Sequence, residues 1–334
     1  MRGRGNAGIA ATARRGSYAC SVSDDIIDPT YLPFRPSQLR GHFCAVRGGE
    51  NQDADRHLKY YLDSATAAAE YRALVDSGGR PTQSQLKRGR QMEKDERFWL
   101  VSALMGLFHA KGELDRPSLF GDLMARAGVL PPKAFGSWRE AFGGGLDLYF
   151  EANLPSPPSY RAWLQGHLRQ RVLVPYLHEA AIRAGSRVEG ATKLDAILVA
   201  PRTGVAVAFE AKVLSDASCS ITNDVLRNQI ARIIDTLLDK NPSLMFPLDR
   251  RIPQHSYCVL VTPEIFRHEN EEDFLGGRLY SWLMRAYRDP DDTLLRRHLS
   301  HRSPSQLADM PNRIGWATWD DMNLVLSGSC PWLV

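Results

Sequence analysis

Cysteine is scarce, five in 334 residues, and Cys20, Cys44, Cys219, Cys258 and Cys330 form no C-x-x-C pair. That spacing supports neither a zinc ribbon nor a disulfide framework, and a cytoplasmic setting is expected. No apolar run approaches the ~18 residues a membrane helix needs, so no membrane partner is expected. Residues 1–23 have no acid and no apolar leader core, and they carry Arg2, Arg4, Arg14 and Arg15. They read as a disordered basic tail. Without them 38 basic residues face 38 acidic ones, so the net charge of +4 says little about partners. Other chemistry is missing too. There is no G-x-S-x-G, and His178-Glu179 opens an H-E-x-x-H that lacks its second histidine. Gly143-Gly144-Gly145 follows no strand and precedes no Lys-Ser/Thr, so it reads as a loop and not as a phosphate cradle. His298 and His301 lie a helical turn apart with no third ligand, and read as polar surface residues.

What is present suggests about two domains. Residues 24–155 read as an α-rich N-terminal part with a recognition or regulatory role. Within it, 93–110 places acids before an apolar run, as a buried helix does, and 117–144 shows two short helical patterns around a Gly128–Pro132 turn, a candidate helix-turn-helix. The LPSPP stretch at 154–158 marks the expected boundary, and residues 156–334 form the second domain. Residues 159–184 are helical with a break at Pro175, and Gly185 stops them. A short extended piece at Arg187–Glu189 leads to strands at Lys193–Ala200 and Val205–Val213, joined by the turn Pro201-Arg202-Thr203-Gly204. Thr222 or Asn223 caps a helix with apolar positions Leu226, Ile230, Ile233, Ile234 and Leu237. Tyr257–Val261 reads as a buried strand, helices follow at 273–287 and 291–299, and a strand ending near Trp319 precedes a last helix. From residue 159 the expected order is αβββαβ, an α/β sandwich around a mixed sheet.

One constellation breaks the apolar pattern. Alternation along the second strand of the hairpin puts Glu210 and Lys212 on one face, and Asp195 interrupts the partner strand where it can approach Glu210. Two carboxylates and an ammonium in nearly buried strands cost energy that a divalent metal and an anionic substrate would offset. An acid on one strand followed by a D/E-x-K on the next resembles the PD-(D/E)XK nuclease superfamily, the restriction-endonuclease-like fold. The match is Asp195 and then Glu210-Ala211-Lys212, the one E-x-K in the chain, with Leu194 where the motif usually has proline. It spans roughly residues 159–265.

The resemblance implies a Mg²⁺-dependent endonuclease, with Mn²⁺ as a substitute. Asp195, Glu210 and the Ala211 carbonyl would hold the metal, and Lys212 would orient or help deprotonate a water and stabilise developing charge. It also implies an acid on the first core helix, where Glu179 is the one acid available, and a glutamine on the following helix, where Gln229 fits. Arg227 and Arg232 could touch the site or a phosphate backbone. The implied partner is double-stranded DNA, in restriction or anti-phage defence, with defence proteins and a second copy of the chain as further partners. An RNase, or a silent nucleic-acid-binding or assembly subunit on the same fold, are the alternatives. Arginines at 161, 169, 171, 183 and 187 and the basic residues of 80–97 suit a backbone grip.

Overall fold

The structure, a computed structural model, describes residues 24–43, 52–110, 116–218, 223–267 and 278–333. The basic tail at 1–23, Thr222 and residues 273–277 lie outside the described residues. The chain is a mixed α/β fold: five strands, β1 (Asp147–Leu154), β2 (Thr192–Ala200), β3 (Val205–Ala211), β4 (Ser256–Thr262) and β5 (Ile314–Thr318), form one sheet in that order. β1–β2 and β2–β3 are antiparallel, while β3–β4 and β4–β5 are parallel. No described helix is long and apolar enough to cross a membrane.

The strands are nearly continuous Val, Ala, Ile and Leu because both sheet faces are covered. On one face Leu198, Val207 and Val259 pack with Phe98, Leu104 and Phe120. These aromatics and leucines come from α4 (Glu96–His109) and α5 (Arg116–Arg126), which follow α1 (Pro36–Arg40), α2 (Gln52–Asp76) and α3 (Gln83–Gly89). On the other face Ala206, Ala208 and Leu260 pack against Ile230, Ile234 and Leu283. α4 confirms the helix expected at 93–110, and the hairpin falls where alternation placed it.

Other expectations are corrected. The second half of the candidate helix-turn-helix is a single turn, α6 (Trp138–Ala141), with Trp138 buried. Gly121 lets the two segments close, since a Cβ there would lie 2.9 Å from that of Trp138. Four residues are too few to read a major groove, and the buried face of α5 belongs to the core. The LPSPP stretch lies between β1 and α7 (Pro158–Gly166), so the sheet's first strand sits on the N-terminal side of the expected boundary. Arg187–Glu189 forms no strand; Val188 packs beside Tyr160 and Leu164, and β1 holds the sheet position expected for this piece. The 159–184 pattern resolves into α7, α8 (Leu168–Arg171) and α9 (Pro175–Arg183), with Pro175 opening the last. The helix after the hairpin, α10 (Gln229–Leu237), is capped by Asn228, whose side chain accepts from Ala231 N at 2.9 Å. Leu226 lies outside it and is exposed, because an Asp224 side chain accepting from Leu226 N turns the chain there. α11 (Leu279–Arg288), α12 (Leu294–His298), α13 (Pro304–Leu307) and α14 (Trp319–Val325) complete the fold. His298 and His301 point inward, to Tyr287 and Asn228 and to Asp235 respectively.

Candidate active site

Alternation along β3 turns Ala206, Ala208 and Glu210 toward α10 and Val207, Phe209 and Ala211 toward the α4 layer. The β2–β3 ladder ends at the pair Ala196–Phe209, so Asp195 and Glu210 are the next residues in register, just beyond it. There the Asp195 carboxylate replaces a ladder bond: its Oδ2 accepts from Ala211 N at 2.9 Å. On the other side of β3, Lys212 N donates to Val261 O at 2.8 Å, extending the pairing with β4 by one residue. The backbone thus holds Asp195, Glu210 and Lys212 together. Lys212 Nζ donates to Glu210 Oε1 at 2.6 Å.

Two helix N-termini converge on this strand end from opposite faces. Gln229, the first residue of α10, donates from Nε2 to the same Glu210 Oε1. Glu96, the first residue of α4, brings Oε1 to 3.5 Å from Lys212 Nζ, while its Oε2 accepts from Ser215 Oγ. A carboxylate in a first turn suits the helix dipole. Clefts outside the carboxyl ends of strands are where open α/β sheets bind ligands.

Burial dominates the electrostatics. It pushes the Asp195 carboxyl up to about 6, against the pull of Lys212 and the Ala211 amide and with help from Glu151 and Glu96. It pushes Glu210 further, to about 8, and neighbouring Asp195 adds to this. Burial alone would lower the Lys212 ammonium, but Glu210, Asp195 and Glu96 more than offset it and hold the group above its ordinary value. Glu210 Oε2 is buried and has no hydrogen-bond partner among the described residues. An unsatisfied carboxylate oxygen beside a second raised carboxyl is what a hard divalent cation with oxygen ligands relieves, and Asp195 and Glu210 are the side chains that would hold it. Among the described residues no three His, Cys, Asp or Glu side chains form a metal cage, so the remaining ligands would be backbone or water, as Mg²⁺ tolerates.

Glu151 adds a strained neighbour. In the β1–β2 register Phe150 pairs with Ala196 and Ala152 with Leu194, which puts Glu151 across from Asp195. Its φ of 53° is left-handed, a conformation costing about 1–3 kcal/mol for a residue with a Cβ. Its buried carboxylate is held by Tyr61 Oη at 3.1 Å, by Arg97 at 3.6 Å and by Lys193.

Of the residues singled out in the sequence, Asp195, Glu210, Lys212 and Gln229 meet here. Glu179 does not: it sits on α9, a helix with no buried residue, and pairs with Arg169 at 3.5 Å. Arg227 and Arg232 are committed elsewhere. Arg227 is buried between Glu189 at 2.9 Å and Asp235 at 2.6 Å with its guanidinium over the Tyr160 ring, and Arg232 binds Glu189 at 2.7 Å. The acid that does arrive from a helix is Glu96, which the sequence left unmarked because an acid opening a helix is common whatever its role. No protein-family model, no curated protein and no solved structure matches the chain, so the site is defined by its own geometry.

Proposed function

We propose that the chain is a Mg²⁺-dependent endonuclease hydrolysing phosphodiester bonds in DNA. The observation carrying this reading is the convergence of Asp195, Glu210 and Lys212 at one strand end with Glu210 Oε2 buried and, among the described residues, unpartnered. The order of elements adds support: an acid on β2, Glu-x-Lys at the end of β3, then the crossover helix α10 into a parallel β4. Bound Mg²⁺ would supply a water of lowered pKa and neutralise charge on the phosphate. Asp195 and Glu210 are the side chains that would hold the ion. Gln229 and Lys212 fix Glu210 by Oε1, so Oε2 is the atom that would be left to hold the ion. Lys212 keeps its proton among three carboxylates, so its role is to donate to an anionic phosphate oxygen and not to act as the base. Glu96 positions the ammonium and remains partly open to solvent. The resemblance further implies a setting in restriction or anti-phage defence, and cutting both strands with one site per chain calls for a homodimer.

The test is incubation of supercoiled plasmid and of structured RNA with the full chain in Mg²⁺, in Mn²⁺ and in EDTA. Nicking or linearisation of plasmid in either metal and none in EDTA is the expected result. Cleavage of RNA alone would make the chain an RNase, and cleavage of neither would leave a silent binding subunit.

A further inference from the structure

The hairpin that carries Asp195 and Glu210 has its tip at the opposite end of the sheet. Arg202, in the tip, lies seven residues from Asp195, about 23 Å along a strand at ~3.3 Å per residue. There a hollow of about 980 Å³ opens, lined by Arg116, Arg139, Arg202 and Arg250 with one carboxylate, Asp147. Arg139 and Arg202 are exposed and make no ion pair among the described residues, and the Asp249 carboxylate nearest Arg250 is 3.9 Å away, beyond hydrogen-bond distance. Arg116 is already fixed: its Nε donates to Phe108 O at 2.6 Å and its guanidinium lies 4.1 Å from the Phe108 ring centre. Among the described residues four guanidiniums face one lining carboxylate, and this excess of positive charge calls for an anion from outside.

The wall has a second feature. Gly143-Gly144-Gly145 forms part of the lining, with φ of 85° at Gly144 and 110° at Gly145. A Cβ at Gly144 would lie 2.4 Å from Arg202 Cδ, so the absent side chain lets Arg202 lie across the loop. At the rim stands Phe246, two-thirds exposed, an aromatic face with solvent on it. Planar guanidiniums recognise phosphate oxygens in pairs, and an exposed ring stacks on a heterocyclic base. The volume is that of a small-molecule site, which admits one nucleotide and not a duplex.

We propose that this hollow binds a nucleotide carrying two or more phosphates, with Arg139, Arg202 and Arg250 taking the phosphates and Phe246 stacking on the base. The site is separate from the strand end where Asp195 and Glu210 meet and does not rest on the nuclease reading.

Calorimetric titration of the full chain with ATP, GTP, AMP, adenosine and inorganic tripolyphosphate, in EDTA at near-physiological salt, tests this. A nucleoside triphosphate should bind at least about tenfold more tightly than AMP, and adenosine should not bind. R139E/R202E should weaken the triphosphate by at least about tenfold while leaving the melting temperature unchanged, since both side chains are exposed. F246A should weaken ATP but not tripolyphosphate. Absence of binding by every phosphate compound, or triphosphate binding indifferent to R139E/R202E, would overturn the proposal. So would binding of a single-stranded oligonucleotide that R139E/R202E abolishes while no mononucleotide binds, which would make the hollow a nucleic-acid backbone contact.

Discussion

Asp195 Oδ2 accepts the backbone amide of Ala211 at 2.9 Å, so the peptide between Glu210 and Lys212 positions the aspartate beside them. The bond stands where the β2–β3 ladder stops, and it makes the two halves of the site one unit. Asp195→Asn keeps an oxygen that can accept from Ala211 N but removes the charge. It should abolish metal-dependent cleavage without a loss of stability at neutral pH, because burial disfavours the Asp195 charge. Asp195→Ala also orphans the buried amide, which costs about 1–3 kcal/mol. Urea unfolding of both variants beside a cleavage assay separates the two effects.

Lys212 and Glu210 should be strongly coupled in stability. Both side chains are almost wholly buried and 2.6 Å apart. Lys212→Met leaves Glu210 and Asp195 without their cation, and should destabilise the chain by about 3–5 kcal/mol. Glu210→Gln/Lys212→Met removes both members and should recover part of that loss. A double-mutant cycle by urea unfolding gives the coupling; additive effects would mean that the pair is not a unit.

The pH dependence follows from the raised carboxyls. With folded-state values of about 6 for Asp195 and about 8 for Glu210, the folded protein holds protons that the unfolded chain releases near pH 4. Their contribution to stability is therefore present below about pH 4 and is lost as pH rises through about 6 and then about 8. His42, which burial lowers to about 4, works in the opposite sense below about 6.5, as do His109 and His298, also lowered chiefly by burial. The difference between wild type and Glu210→Gln removes these histidines from the comparison. Metal-free Glu210→Gln should gain on the wild type by more than about 1 kcal/mol between pH 5 and pH 8.5. Saturating Mg²⁺ should narrow that gap by stabilising the wild type alone. Thermal melts across pH, with and without Mg²⁺, measure both.

Glu96, which the sequence left unmarked, reaches the strand end, and Glu179 does not. Glu96 holds Lys212 and Ser215, whereas Glu179 meets Arg169 on the surface. Glu96→Gln should lower cleavage by about tenfold to a hundredfold, as loss of a supporting carboxylate does, with little change in melting temperature. Glu179→Gln should change neither. Initial rates and melts of the two variants, side by side, decide between them.

The hairpin was legible because its signals were local. Period-two alternation, the Pro201–Gly204 turn and the polar interruptions at Asp195, Glu210 and Lys212 all lie within twenty residues. Gln229 was legible for the same reason, although the turn at Asp224 moved the helix start to Asn228. Glu96 was not, because its contact with Lys212 spans 116 residues and depends on how α4 packs on the sheet. β1 was hidden by its own chemistry: Glu151 carries a buried charge and a left-handed φ in the middle of DLYFEANL, and the prolines after it read as a break. The buried ion pairs of Arg227 were equally invisible, since a helix-flanking arginine on its own suggests a solvated face.

The most direct measurement is plasmid cleavage in Mg²⁺ by the wild type, Asp195→Asn, Glu210→Gln and Lys212→Met at equal folded concentration. Metal-dependent cleavage by the wild type, lost by at least a hundredfold in each variant with fold retained in circular dichroism, is the predicted result. Cleavage that survives in Lys212→Met and Glu210→Gln, or proceeds in EDTA, would contradict the assignment of the reaction to this strand end.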